Sequence, residues 1–164
     1  MRVVVADTGP LQYLLLIGQI ELLPKLYGAV TVPTAVHGEL PHPAAPEPVR
    51  DWANAPPSWL RITPAPASEY PQFGQLDAGE AAAISLALAL AADLVLMDER
   101  TGVAAARSRA LNVIGTIGVF DQAASAGLID IAEAVGRLKA TNFRYRPELL
   151  ESLLAGHRPK SGGS

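Results

Sequence analysis

The sequence predicts an α/β fold: a three-layer α/β/α sandwich with a mainly parallel central sheet. Three observations predict it. Short β-branched and apolar runs alternate along the chain with longer stretches of helical periodicity. The strand runs, such as RVVVA (2–6) and DLVLM (93–97), are hydrophobic throughout instead of alternating, as expected of strands covered on both faces. The chain has 164 residues, 49% of them hydrophobic, which suits one domain with a real core over 1–156.

RVVVA reads as a buried strand. Over 10–26, Leu11, Leu14, Leu15, Ile17, Leu22, Leu23 and Leu26 fall at helical spacing, and Gly18 divides the stretch into two short helices. AVTV (29–32) is a second strand, stopped by Pro33. TAVHGEL (34–40) is a short helix ended by Pro41. Residues 41–71 hold nine of the fourteen prolines and both tryptophans. Such a run excludes a long regular element. It reads as irregular, with a short helix near 49–54, an extended piece at LRIT (60–63), and Trp52 and Trp59 pinning it to the body. Asp77 and Glu80 have capping-box spacing before an alanine-rich helix that runs to about Ala91. Strand 93–98, helix 101–109, strand 112–115 and helix 117–126 follow, then helices near 130–140 and 147–155. The last residues, HRPKSGGS (157–164), read as a flexible tail.

There are no cysteines, which excludes a disulfide framework and thiolate metal sites. No apolar run reaches the roughly 18 to 20 residues of a membrane helix. The run behind Arg2 stops at Asp7, too short for a signal peptide. A cytoplasmic protein is expected. The net charge of −3 is unevenly spread. Residues 1–99 carry 4 basic and 11 acidic side chains, and residues 100–164 carry 9 basic and 5 acidic. That asymmetry suits an acidic metal site beside a basic face for an anionic ligand.

In an open parallel sheet, functional groups collect outside the carboxyl ends of the strands. Asp7 ends the first strand and Asp98 ends the strand over 93–97, so the two share an edge if those strands are neighbours. Glu80 opens the helix that leads into the second of them, and its N-terminus lies at the same edge. Glu39, in the short helix after 29–32, is not forced there by topology. Each acid alone has a simpler use, as a cap, a turn former, a dipole partner or a solvated charge. Crowded together they need a cation, and no Lys or Arg stands within the four motifs. Oxygen donors suit Mg²⁺ or Mn²⁺, which can activate water and stabilise charge on a phosphoryl oxygen.

The ordered set ADTGP, HGEL, GEAAAISLAL and LVLMDER, followed by NVIGTIGVF and AGLI, resembles the PIN domain, and within it the VapC-like ribonuclease and toxin branch. The resemblance covers about residues 2–130 and implies a metal-dependent endoribonuclease. It implies Asp7, Glu39, Glu80 and Asp98 as the acidic quartet, with Asp7, Glu80 and Asp98 on the metal and Thr8 orienting the first acid. Many members have Asp at the third position, so Asp77, one turn earlier, stands as an alternative to Glu80. The 41–71 segment departs from the helical hairpin usual there. The branch further implies a toxin paired with a small antitoxin, and a homodimer.

RNA phosphates would lie along basic side chains. Arg100 and Arg107, seven apart on one helix, share a face, and Arg109, Arg137, Lys139, Arg144 and Arg146 are further candidates. His37 and His42 flank Glu39 and are assigned surface roles. The alternative is a PIN-fold binding module with a quiet nuclease, acting through a protein partner. A haloacid-dehalogenase-like phosphatase would need an acid where Gly9 stands. A receiver would need a lysine after strand 112–115, and the nearest is Lys139.

Overall fold

The computed structural model describes residues 2–67 and 75–157. Five strands form one sheet: β1 (Val4–Ala6), β2 (Val30–Pro33), β3 (Leu60–Thr63), β4 (Leu94–Leu96) and β5 (Val113–Ile114). Their order across the sheet is β3-β2-β1-β4-β5, and every pairing is parallel. The helices are α1 (Thr8–Leu16), α2 (Leu22–Tyr27), α3 (Thr34–Glu39), α4 (Glu47–Asn54), α5 (Ala78–Leu90), α6 (Arg100–Ser108), α7 (Thr116–Ser125), α8 (Ile131–Lys139) and α9 (Pro147–Gly156).

The helices lie in two unequal layers. Val4 and Ala6 of β1 and Leu94 and Leu96 of β4 face the larger one, with Leu11, Leu14, Phe120, Leu138 and Leu150. Val5, Val95 and Met97 face the smaller one, with Ala83, Ile84, Leu86 and Ala87 of α5 and Ala106 of α6. The period of two along each strand makes this division. Helix α5 is built from strong helix formers and is apolar on most of its surface, so it can lie across the sheet against β1, β2 and β4.

Three expectations are revised. LRIT is a full strand, paired with β2 from Val30↔Leu60 to Pro33↔Thr63, so the 41–71 segment contributes both α4 and the sheet edge. It is fastened where Trp52 and Trp59 pack on each other, ring centroids 5.9 Å apart, and against the core. Helix α1 starts at Thr8, directly after Asp7, with Pro10 in its first turn where no amide is needed. His157 is held, its Nε2 2.7 Å from Asp121 Oδ1, while 158–164 lie outside the described residues, as do 68–74. Gly18 breaks the α1–α2 stretch at φ +73°, a backbone state that favours glycine.

Candidate functional site

β1 and β4 are adjacent, with Val5↔Val95 and Ala6↔Leu96 in register, and the Asp7 amide donates to the Leu96 carbonyl at 2.9 Å. The chain leaves β1 toward β2 and β3 on one side, then returns to lay down β4 and β5 on the other. Asp7 and Asp98 therefore flank the switch point of the sheet, where ligands of such folds bind. They share the edge. Asp7 has Asp77, Glu80 and Glu39 as its acidic neighbours. Asp98 meets Thr116 of α7 and Gly9 of α1.

Around Asp7 the acids gather. Its carboxyl is buried, and burial pushes its pKa from 3.8 up to about 7, with the charges of Asp77, Glu80 and Glu39 adding to the rise and the Thr8 amide opposing it. Glu80 is also buried and pushed up to about 7, by burial first and then by the adjacent Asp77. Asp77 itself caps α5: its Oδ1 accepts from the Glu80 amide at 2.7 Å. Capping and charge crowding thus come from one pair, and Asp77 and Glu80 are both close to Asp7. Glu39 does arrive. It accepts the Thr8 hydroxyl at 2.8 Å and lies against Gly79, where a Cβ would stand 2.8 Å from Glu39 Oε2. Thr8 serves two acids. Its hydroxyl orients Glu39, and only its amide serves Asp7, because at the first position of α1 the side chain turns toward α3.

Asp98 is gripped by one residue. Thr116, the first residue of α7 and fully buried, donates its amide to Oδ1 and its hydroxyl to Oδ2, both at 2.7 Å. Burial raises the Asp98 pKa and these two bonds oppose the rise. Gly115 lets the backbone pass so near that an added Cβ would collide with Oδ1, and Gly9 closes in from α1. Thr116 escaped sequence reasoning. The only trace was a small hydroxyl residue at a strand-to-helix junction.

The donors are all hard oxygens, and Asp7 and Glu80 hold like charges in burial, a donor chemistry that suits a divalent cation. The side chains form two half-sites, Asp7 with Glu80, Asp77 and Glu39, and Asp98 with Thr116. Among the described residues no three acidic or histidine side chains converge on a point that could hold a metal ion. Both histidines are engaged away from the acids, His37 with its Nε2 2.8 Å from the Ala53 carbonyl and His42 accepting the Ala44 amide.

A cleft of about 800 Å³ opens beside Asp98. Arg100 and Arg107 both line it, as their shared helical face predicts, and Arg144 and Arg146 join them. Arg137 is engaged elsewhere, with Glu133 and the Ile17 carbonyl. No helix among the described residues is long and apolar enough to cross a membrane.

The model of a family described as a PIN domain, DUF3368, matches residues 3–158 of the chain. No curated protein and no solved structure matches it.

Proposed function

Since the chain belongs to the PIN-domain family, whose fold is that of nucleases, we propose that it is a metal-dependent endoribonuclease that hydrolyses RNA phosphodiester bonds in the cytoplasm. The observation that carries this reading is the pair Asp7 and Asp98 at the carboxyl ends of adjacent strands, at the switch point of the sheet, with Glu80 and Glu39 drawn in beside the first. Asp7, Glu80 and Asp98 would hold Mg²⁺ or Mn²⁺. When bound, such an ion lowers the pKa of a water and stabilises charge developing on a phosphoryl oxygen. Glu39, fixed by Thr8, orients the attacking water. Thr116 keeps the Asp98 carboxylate in one rotamer, so that its orientation is set before substrate arrives. Arg100 and Arg107 draw the phosphates toward the sheet edge.

The test is cleavage of a labelled RNA in Mn²⁺ or Mg²⁺ and in EDTA, with Asp7→Asn and Asp98→Asn beside the wild type. Cleavage in metal alone, lost in both variants with the fold retained, is expected. Cleavage undiminished by Asp7→Asn would sink the assignment. The finer form of the reading, supported by the resemblance to VapC-like chains, is a toxin that forms a homodimer and pairs with a small antitoxin. Co-purification with the product of a neighbouring gene tests it. One observation favours a second reading, a binding module with a quiet nuclease: no three acids converge among the described residues. Absence of Mn²⁺ binding by calorimetry, together with a stable protein partner, would select it.

A further inference from the structure

The stretch NFRYR (142–146), in the connector between α8 and α9, lies outside the acid set and lines the cleft beside Asp98. It is anchored by α1. Phe143 is buried and meets Tyr13 edge-on, ring centroids 4.9 Å apart, and the Tyr13 hydroxyl donates to Asn142 Oδ1 at 3.0 Å. Thr141 tightens the turn, its hydroxyl donating to the Leu138 carbonyl and accepting the Phe143 amide. With Phe143 turned inward, Arg144, Tyr145 and Arg146 all face solvent. Tyr145 is 38% exposed, which leaves its ring open to a flat partner. Arg100 and Arg107 of α6 line the same cleft. The ion pairs among the described residues are Arg137–Glu133 and His157–Asp121, so none of the four cleft arginines is in an ion pair of that set, and they outnumber the two acids of the lining, Asp98 and Glu99.

We propose that this cleft is the track for a single-stranded nucleic acid, with Arg144 and Arg146 on its phosphates and Tyr145 stacked on a base. The inference deepens the nuclease reading and rests on it. Four cations give the electrostatic groove that a sugar–phosphate backbone needs. The exposed ring between two of them gives a base-stacking platform, which is of use only when the base faces are not buried in a duplex. An acidic protein segment would satisfy the arginines and leave the ring without a flat partner. Asp98 lines the cleft, so a strand lying in it brings a phosphodiester beside that acid. The anchored connector holds the platform in place before binding.

The test is fluorescence anisotropy with a single-stranded RNA of about ten nucleotides, within the site sizes of such grooves. The full chain is used, in EDTA, so that binding is read without cleavage. Tyr145→Ala should weaken binding about tenfold, and Tyr145→Phe should bind within about twofold of wild type. The pair Arg144→Ala and Arg146→Ala should lower the slope of log affinity against log salt by about 1.4, the share of two phosphates. The melting temperature should not move, because all three side chains are exposed. A duplex of the same sequence binding as tightly as the single strand would overturn the proposal. So would an unchanged salt slope in the double variant, or displacement of the RNA by an equimolar acidic peptide. The two readings fail separately. Binding without Mn²⁺-dependent cleavage removes the nuclease and leaves the track. Cleavage at wild-type kcat/KM by both the double arginine variant and Tyr145→Ala removes the track and leaves the nuclease.

Discussion

Replacing Asp7 by asparagine removes a charge that works against the fold. The carboxyl is 5% exposed and its pKa is pushed from 3.8 in a free chain to about 7, chiefly by burial. A carboxyl whose folded value lies above its unfolded one binds more protons folded than unfolded at every pH between them. The fold therefore loses stability as pH rises through that window, and the loss is complete above the folded value. One pH unit is worth about 1.4 kcal/mol, so an ionised Asp7 costs the wild type up to about 4 kcal/mol above pH 7, and almost nothing below pH 4. Asparagine carries no charge, keeps an oxygen for the Thr8 amide, and brings an N–H₂ that the neighbouring carboxylates can accept from. Imperfect placement of that amide lowers the gain, so Asp7→Asn should stabilise the fold by about 2–4 kcal/mol at pH 8 and leave it near wild type at pH 4.5. For a chain of this length that is about 10 °C in Tm at pH 8. Urea titrations of both proteins in EDTA, followed by circular dichroism at the two pH values, measure it. A difference between the proteins that is equal at the two pH values would refute the reasoning, and so would a variant less stable than wild type at pH 8. The same substitution is expected to abolish RNA cleavage, so stability and activity should move in opposite directions.

Two further substitutions test the supports of the acids. Thr116→Val keeps the amide bond to Asp98 and deletes the 2.7 Å hydroxyl bond. It should cost about 1.5–3 kcal/mol at pH 8, where the partner is charged, and less as pH falls and Asp98 takes up a proton. Denaturation at two pH values, with Thr116→Ser as the rescuing variant, checks it. Gly79→Ala would place a Cβ 2.8 and 2.9 Å from the two Glu39 oxygens, so Glu39 must swing off the Thr8 hydroxyl. The gain in helix propensity offsets the lost contact to within about 1 kcal/mol, while RNA cleavage falls by about tenfold or more. Calorimetry and a cleavage assay on one preparation separate the two effects.

The sheet was legible because its strands are unbroken apolar runs, and β1, β2, β4 and β5 stand where RVVVA, AVTV, DLVLM and NVIG place them. β3 was harder to read. Its alternation is weak, with Arg61 and Ile62 both exposed at the sheet edge, and prolines stand on both sides of it. The Asp77–Glu80 spacing foretold a real cap, since that motif acts through neighbours in sequence. The grip of Thr116 on Asp98 joins residues 18 apart, and that of Thr8 on Glu39 residues 31 apart. Such contacts depend on how two layers pack, which spacing along one element does not encode.

The supports of the two aspartates have a consequence for how such a molecule can change. Asp7 keeps company with α3 and α5, and Asp98 with α1 and α7. Helix α1 belongs to both groups, because Thr8 holds Glu39 and the next residue, Gly9, lies against Asp98. A substitution that shifts the start of α1 therefore re-aims both halves of the acid set at once, and the two halves cannot drift independently.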